Sequence, residues 1–306
     1  MKHVQTSLFI AFSIFVTCCS GINSAKAATP VASFKFGVFS RTGNTLDAQY
    51  MAMFNDLVKV FEKKENIKCD VIPYSDEKLF LSDIRKGRLD FAMSMRVDGI
   101  YDVLKSGKMK PIFQFETFGE ERYRYCLYVK KSRNMRTLAD IKGLRLASYE
   151  DMIPYFYLRE ITKVPPEDYF VMKMSPNPSS SIYALGLGDA DVLFTIDFNL
   201  EYFRLTNPGP VKDLVSIACS DSIPRVPFFA SVKVNPAVAE KIFTYTAGID
   251  KEEELKKYRP LVKMMKSKPT RVTTRDYAGL MAMYETGVKK GWDKDFRAWL
   301  KYSRQK

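Results

Sequence analysis

The chain has 306 residues, a formal net charge of +13 at pH 7 and a single histidine, His3. That length suits two lobes of roughly 100–200 residues each, and the basic balance suits an anionic small molecule or an anionic surface. With its only histidine in the N-terminal leader, the chain is a poor vehicle for zinc chemistry or a Ser-His-Asp triad, which need histidine or clustered cysteine.

Met1 to Ala27 reads as a secretory signal. Lys2 supplies the positive start, Leu8 to Val16 the short apolar core, and Ala25-Lys26-Ala27 a small-x-small cleavage site before Ala28. The apolar run is shorter than the roughly 20 residues that a spanning helix needs. Cys18 and Cys19 raise a lipoprotein alternative, but Phe15-Val16-Thr17 lacks the small residue such cleavage prefers. The expectation is an exported, soluble, periplasmic chain that stays strongly basic, because cleavage removes Lys2 and Lys26 and no acid.

Phe34 to Phe39 alternates and predicts the first strand, ending in the polar loop Ser40-Arg41-Thr42-Gly43-Asn44. From Thr45 an apolar stripe (Met51, Phe54, Leu57, Val58, Phe61) follows at helical spacing. Ile67 to Ile72 is the second strand. Ser75 is the expected N-cap of a helix that Gly87 ends, and Leu89 to Ser94 is the third strand. This β-α-β-α-β order favours a parallel sheet. Arg96 to Lys105 predicts a helix, Pro111 to Phe115 a strand, and Tyr123 to Val129 one continuous strand. Thr137 to Glu150 follows as a capped helical turn, a stop at Gly143, a strand over Leu144 to Ala147 and a polar loop that opens a helix.

The plan then repeats. A helix over Ile153 to Ile161 and a strand over Tyr169 to Met174 lead to a helix opened by Ser179-Ser180-Ser181. A strand over Asp189 to Phe194 and another over Leu214 to Ser220 complete the second set. Phe228 to Val234 is the expected return crossover. Everything after Asn235 reads as helices, the last of them basic and amphipathic: it packs Trp292, Phe296 and Trp299 onto the first lobe, or alternatively docks on a membrane or a transporter.

Two phrases carry a family resemblance. Leu138-Ala-Asp-Ile-Lys-Gly-Leu-Arg145 resembles the start of the second lobe in periplasmic solute-binding proteins, and Asp83-Ile-Arg-Lys-Gly-Arg-Leu-Asp90 resembles their helix, Gly-x-x-Asp, strand unit, which returns at Gly188 and Asp191. The chain is most similar to the phosphate/phosphonate/phosphite type of ABC-transporter binding protein, over roughly Phe34 to Phe243. The resemblance implies a two-lobed α/β fold of type II. Each lobe is a mainly parallel sheet flanked by helices, and two crossover strands form the hinge. The expected boundaries are 1–27 for the signal, 28–125 for the first lobe, 126–225 for the second, and 226–306 for the return and the C-terminal helices. Of the remaining cysteines, Cys126 and Cys219 fall near the expected crossovers, where a hinge disulfide competes with buried free thiols. An odd count with Cys69 leaves at least one thiol free.

In such a fold the loops after the strands line a cleft. The candidate ligand contacts are therefore Ser40, Arg41 and Thr42 after the first strand, Tyr74 after the second, Arg96 after the third, and Tyr123 at the crossover. From the second half come Tyr149, the helix-opening Ser179, Ser180 and Ser181, Asp197 and Arg225. Arginine, hydroxyls and free helical N–H groups suit an oxyanion, while capping explains the serines and Asp197 equally well. Two departures from the family pattern concern ligand identity. The loop where relatives carry small hydroxyls reads Tyr149-Glu150-Asp151-Met152-Ile153-Pro154-Tyr155, which argues against a bare phosphate or phosphonate; Glu150, Asp151 and the run Tyr155-Phe156-Tyr157 offer a cationic or aromatic ligand instead. Ile223-Pro-Arg225-Val226-Pro227 puts valine where relatives carry an acid. The expected function is capture of a small anionic, phosphonate- or phosphate-like solute for an ABC permease, by a monomer that uses no cofactor, binds no metal or nucleic acid and is not an enzyme. A sensory module that presents its bound state to a membrane receptor is the alternative.

Overall fold

The computed structural model describes residues 33–40, 45–94, 97–149 and 151–303; the expected signal over 1–27, Arg41, Thr42, Arg96 and Glu150 lie outside them. In chain order the first half holds β1 (Ser33–Phe39), α1 (Thr45–Glu65), β2 (Lys68–Tyr74), α2 (Glu77–Arg85), β3 (Phe91–Ser94), α3 (Asp98–Lys105) and β4 (Met109–Glu116). Then come β5 (Arg122–Tyr123), β6 (Tyr125–Lys130), β7 (Arg145–Tyr149), α4 (Met152–Thr162), α5 (Pro166–Tyr169), β8 (Val171–Ser175), α6 (Pro178–Leu187), β9 (Val192–Ile196) and α7 (Asp197–Thr206). The rest is β10 (Leu214–Cys219), β11 (Ile223–Pro224), β12 (Pro227–Ser231), α8 (Pro236–Ala247), α9 (Arg259–Met264), β13 (Lys268–Arg271), α10 (Ala278–Lys289) and α11 (Trp292–Ser303).

These strands form two separate sheets, ordered β13-β4-β12-β3-β1-β2 and β10-β6-β9-β7-β8, and a short ladder of β5 with β11. The sheets share one plan. In each, three parallel strands (β2-β1-β3 and β8-β7-β9) are followed by an antiparallel returning strand (β12 and β6) and then by a further one (β4 and β10). A chain that alternates strand and helix buries both faces of such a sheet. The first sheet does so with packed phenylalanines: Phe113 stacks on Phe228 at 4.6 Å, and Phe36 meets Phe54 at a tilt, also at 4.6 Å.

Four local expectations change. Asp76, not Ser75, caps α2, accepting the N–H groups of Lys78 and Leu79. The strand expected over Tyr123 to Val129 is broken at Arg124: Tyr123 pairs with Ile223 in the ladder, while Tyr125 pairs with Ile196 in the second sheet. The supposedly all-helical C-terminal part contributes β13, whose Pro269 sits on a sheet edge, where proline is tolerated. Finally, Trp292, Phe296 and Trp299 pack on α4, which follows the second sheet's β7, rather than on the first lobe. Trp292 meets Phe156 at 5.8 Å, and Phe296 meets Tyr155 at 5.3 Å. That aromatic stripe finds a complementary aromatic face there, and the Arg159–Asp295 ion pair closes its edge.

Cys126 and Cys219 are disulfide-bonded. They stand opposite each other on β6 and β10, so the bond staples the second sheet beside the hinge and does not join the two sheets. Cys69 is free and half-buried, and burial pushes its thiol up to about 12.

Candidate ligand site at the hinge

The strand register brings the ends of both sets of strands toward one place. Phe228 of β12 faces Met93 near the C-terminal end of β3, and Pro227 faces Gln114 of β4; just upstream, Ile223 and Pro224 form the ladder. In the second sheet, Tyr125 of β6 faces Ile196 at the C-terminal end of β9, directly after the ladder's Tyr123. Both sets of parallel strands therefore point their C-terminal ends at the β5–β11 ladder. That is where open α/β sheets place ligand-binding loops.

At the ladder, Tyr123, Tyr149 and Arg225 come together. The ring of Tyr123 is buried, and its hydroxyl has no hydrogen-bond partner among the described residues. Burial, with Tyr149 next in weight, holds that hydroxyl firmly protonated, although Arg225 pulls the other way. The Arg225 guanidinium lies 5.8 Å from the Tyr123 ring centroid and 5.2 Å from that of Phe198 at the start of α7. Its Nε donates to the Glu120 carbonyl at 2.9 Å and its Nη2 to the Thr117 carbonyl at 3.2 Å. The Arg225 carbonyl in turn accepts from the Tyr277 hydroxyl at 3.0 Å. Arg225 thus braces one crossover against the other. Phe118 meets Phe198 at 5.5 Å, so aromatic surface from both sides of the hinge is in contact.

Other expected contacts have structural duties. The Tyr74 hydroxyl donates to Asp83 at 2.8 Å, and its ring packs on Phe80 at 5.3 Å, which places it in the first sheet's core. Ser40 follows β1, half-buried, with its N–H on the Tyr74 carbonyl. Asp197 accepts the N–H groups of Phe198 at 2.8 Å and Arg124 at 3.2 Å, tying α7 to the crossover. Asn177 caps α6, and its Oδ1 accepts both the N–H and the hydroxyl of Ser180. Ser181 is buried, with a long contact to the Asn177 carbonyl. Ser179, half-buried, has no side-chain partner among the described residues. The run Tyr155-Phe156-Tyr157 is core: Tyr155 bonds Glu167, Phe156 packs on Tyr284, and Tyr157 stacks on Tyr125.

Sequence reasoning missed Asn177, Phe118, Phe198 and Tyr277 at these places. Asn177 was within reach, because asparagine directly before Pro178 is a cap followed by proline at the first helical position. The others are set by tertiary contacts alone. Among the described residues, no group of His, Cys, Asp or Glu side chains could hold a metal ion, and no helix is long and apolar enough to cross a membrane.

A family model described as "ABC transporter, phosphonate, periplasmic substrate-binding protein" matches residues 39–277. No curated protein matches the chain. A binding protein component of an ABC phosphonate transporter from Pseudomonas aeruginosa shares 15% identity, with a TM-score of 0.63 over 90% of this chain and 99% of the other. A methylphosphonate complex from Prochlorococcus marinus shares 13% identity, with a TM-score of 0.65 over 85% and 98%. The aliphatic sulphonate binding protein of Escherichia coli shares 12%, with a TM-score of 0.58 over 85% and 93%. The fold common to them is the two-lobed type II binding fold.

Proposed function

From a chain that belongs to the phosphonate-type family of periplasmic substrate-binding proteins of ABC transporters, we propose an exported monomer that captures a small organic oxyanion between its lobes and hands it to a permease. Export through the Met1–Ala27 leader is part of that reading. The observation that carries it is the buried, partnerless hydroxyl of Tyr123, held beside Arg225 at the point where both sets of strand ends converge. A buried hydroxyl without a partner costs about 1–3 kcal/mol, and a ligand oxygen that accepts its proton would recover that cost. The hinge aromatics Phe118 and Phe198 favour an oxyanion carrying an organic group over bare phosphate.

The test is a melting-temperature screen of the processed chain against phosphate, phosphite, alkyl- and arylphosphonates, sulfonates and carboxylates. A ligand at one hundred times its Kd stabilises by about 2.7 kcal/mol. A shift with organic phosphonates or sulfonates that exceeds the shift with phosphate is expected. A panel in which no oxyanion moves the melting point sinks the reading.

A further inference from the structure

We propose that the pole of the first sheet opposite the cleft is an adsorption face for a bilayer carrying anionic phospholipid headgroups. The topology collects basic residues there. β1 enters from this pole beside Lys35, and its Ser33 faces Lys68. α2 ends there in Arg85 and Lys86, Arg88 precedes β3, Lys108 and Lys110 flank the entry of β4, and the antiparallel β12 delivers Lys233 to the same end. Val232 donates its N–H to the Lys108 carbonyl at 3.0 Å, and the Lys233 ammonium reaches within 3.6 Å of where a Cβ on Gly87 would project.

The acids at this pole are engaged. Asp70 pairs with Lys68, Asp83 holds Arg88 and the Tyr74 hydroxyl, Asp102 lies by Arg85, and Asp90 accepts the Lys35 backbone N–H. Among the described residues Lys35, Lys86, Lys108, Lys110 and Lys233 have no ion pair, and all but the half-buried Lys110 are exposed. Val232, 53% exposed, stands among them as an apolar contact. Unpaired lysines around an exposed valine match a headgroup layer with apolar matter beneath it. Single-stranded nucleic acid is recognised by lysines combined with aromatic stacking platforms, and no aromatic residue is among the exposed groups named here.

The orientation follows from the strands. A molecule resting on this pole points its strand C-termini, and hence the cleft, away from the surface and toward solvent. The inference rests on the export proposed above, but its test does not depend on the ligand.

The processed chain is sedimented with vesicles of phosphatidylglycerol and phosphatidylethanolamine, and in parallel with vesicles of phosphatidylcholine. Each lysine near an anionic surface is worth about fivefold in partitioning, so the Lys86→Gln/Lys108→Gln/Lys233→Gln variant should bind about a hundredfold more weakly. Its melting point and oxyanion response should be unchanged. Binding should vanish at about 1 M salt, where the screening length falls to about 3 Å. A matched variant in the second lobe, Lys131→Gln/Lys142→Gln/Lys212→Gln, should bind as the parent does. Equal binding to phosphatidylcholine, undiminished binding by the first variant, or equal loss in the second overturns the assignment. So does capture by DNA or lipopolysaccharide with no affinity for the vesicles.

Discussion

In both lobes an aspartate at the entry of a buried strand is knotted to the neighbouring strand by the same pair of bonds. Asp90 accepts the N–H of Lys35 at 2.8 Å and returns its own N–H to the Lys35 carbonyl at 2.9 Å. Asp191 does the same with Arg145, at 3.3 and 2.9 Å. The difference lies in the side chains. Asp191 also gathers the Arg145 guanidinium, with its Nε at 2.8 Å, and that of Arg133, whereas Lys35 is exposed and has no ion pair among the described residues. The lobes thus share a backbone device, but the second turns its cations inward onto one carboxylate and the first leaves them facing outward. The second lobe is stapled further by the Cys126–Cys219 bond and by α10 and α11 against α4. The first relies on its phenylalanine stack.

The largest break in this comparison is reduction of the disulfide. The bond closes a loop with a sequence separation of 93, and chain-entropy reasoning gives about 4.6 kcal/mol for a loop of that order. The paired variant Cys126→Ser/Cys219→Ser should lower the melting point. Hydrogen exchange should speed up first in β6 and β10, with β1 to β3 protected as before. Uniform loss across both sheets would mean that the lobes do not unfold separately.

Next comes Gly287→Ala. A Cβ there would stand 2.4 Å from the ring of Phe156, which is fully buried. Gly287 lets α10 approach α4, while Tyr284, one turn earlier, stacks on Tyr101 of α3 at 3.8 Å. Overpacking of this kind costs about 1–3 kcal/mol. Chemical denaturation should show that cost, and Gly279→Ala on the same helix, where nothing lies within 4 Å of the added carbon, should show none.

Asp191→Asn and Asp90→Asn test the knots directly. Charged hydrogen bonds are worth about 1.5–3 kcal/mol, discounted here because Arg145 and Arg133 are 41% and 51% exposed. Asp191→Asn should therefore cost about 2 kcal/mol and Asp90→Asn about half of that. The Arg145 guanidinium holds the Asp191 carboxyl below its ordinary range. Its contribution is thus complete above the unfolded value near 3.9 and is lost as pH falls through the lower folded value. The parent should shed this stability in acid while Asp191→Asn shows a flatter profile there, as read from melting points between neutral pH and strong acid.

How far the sequence carried is visible in the same elements. Buried strands such as Val192–Ile196 and the two Gly-x-x-Asp entries were legible because they are local and apolar. So was the aromatic stripe of α11, though not the face it meets, since docking depends on chain far away. β13 was hidden because four residues, Lys-Pro-Thr-Arg, carry no apolar alternation. The break at Arg124 was hidden for the opposite reason: the alternation runs straight through it, and only the change of pairing partner marks the hinge. In the candidate site, position after a strand does not fix where a side chain points: the Tyr74 hydroxyl turns to Asp83, and that of Tyr123 meets no partner among the described residues.

The two strand-end tyrosines make that last point testable, with the smallest effects expected. Tyr74 and Tyr123 look alike in sequence, an aromatic at the edge of a predicted strand. In the structure the Tyr74 hydroxyl serves Asp83, and the Tyr123 hydroxyl serves nothing. Tyr74→Phe should cost about 1 kcal/mol of stability and leave affinity for the best oxyanion of the screen unchanged. Tyr123→Phe removes an unsatisfied group, so stability should hold or rise slightly, while affinity should fall about tenfold, the equivalent of one lost hydrogen bond near 1.4 kcal/mol. Isothermal titration and denaturation of the two variants side by side separate the roles. If Tyr74→Phe loses the affinity and Tyr123→Phe does not, the ligand contacts lie on the first lobe's wall, and the partnerless hydroxyl at the hinge is only a cost of folding.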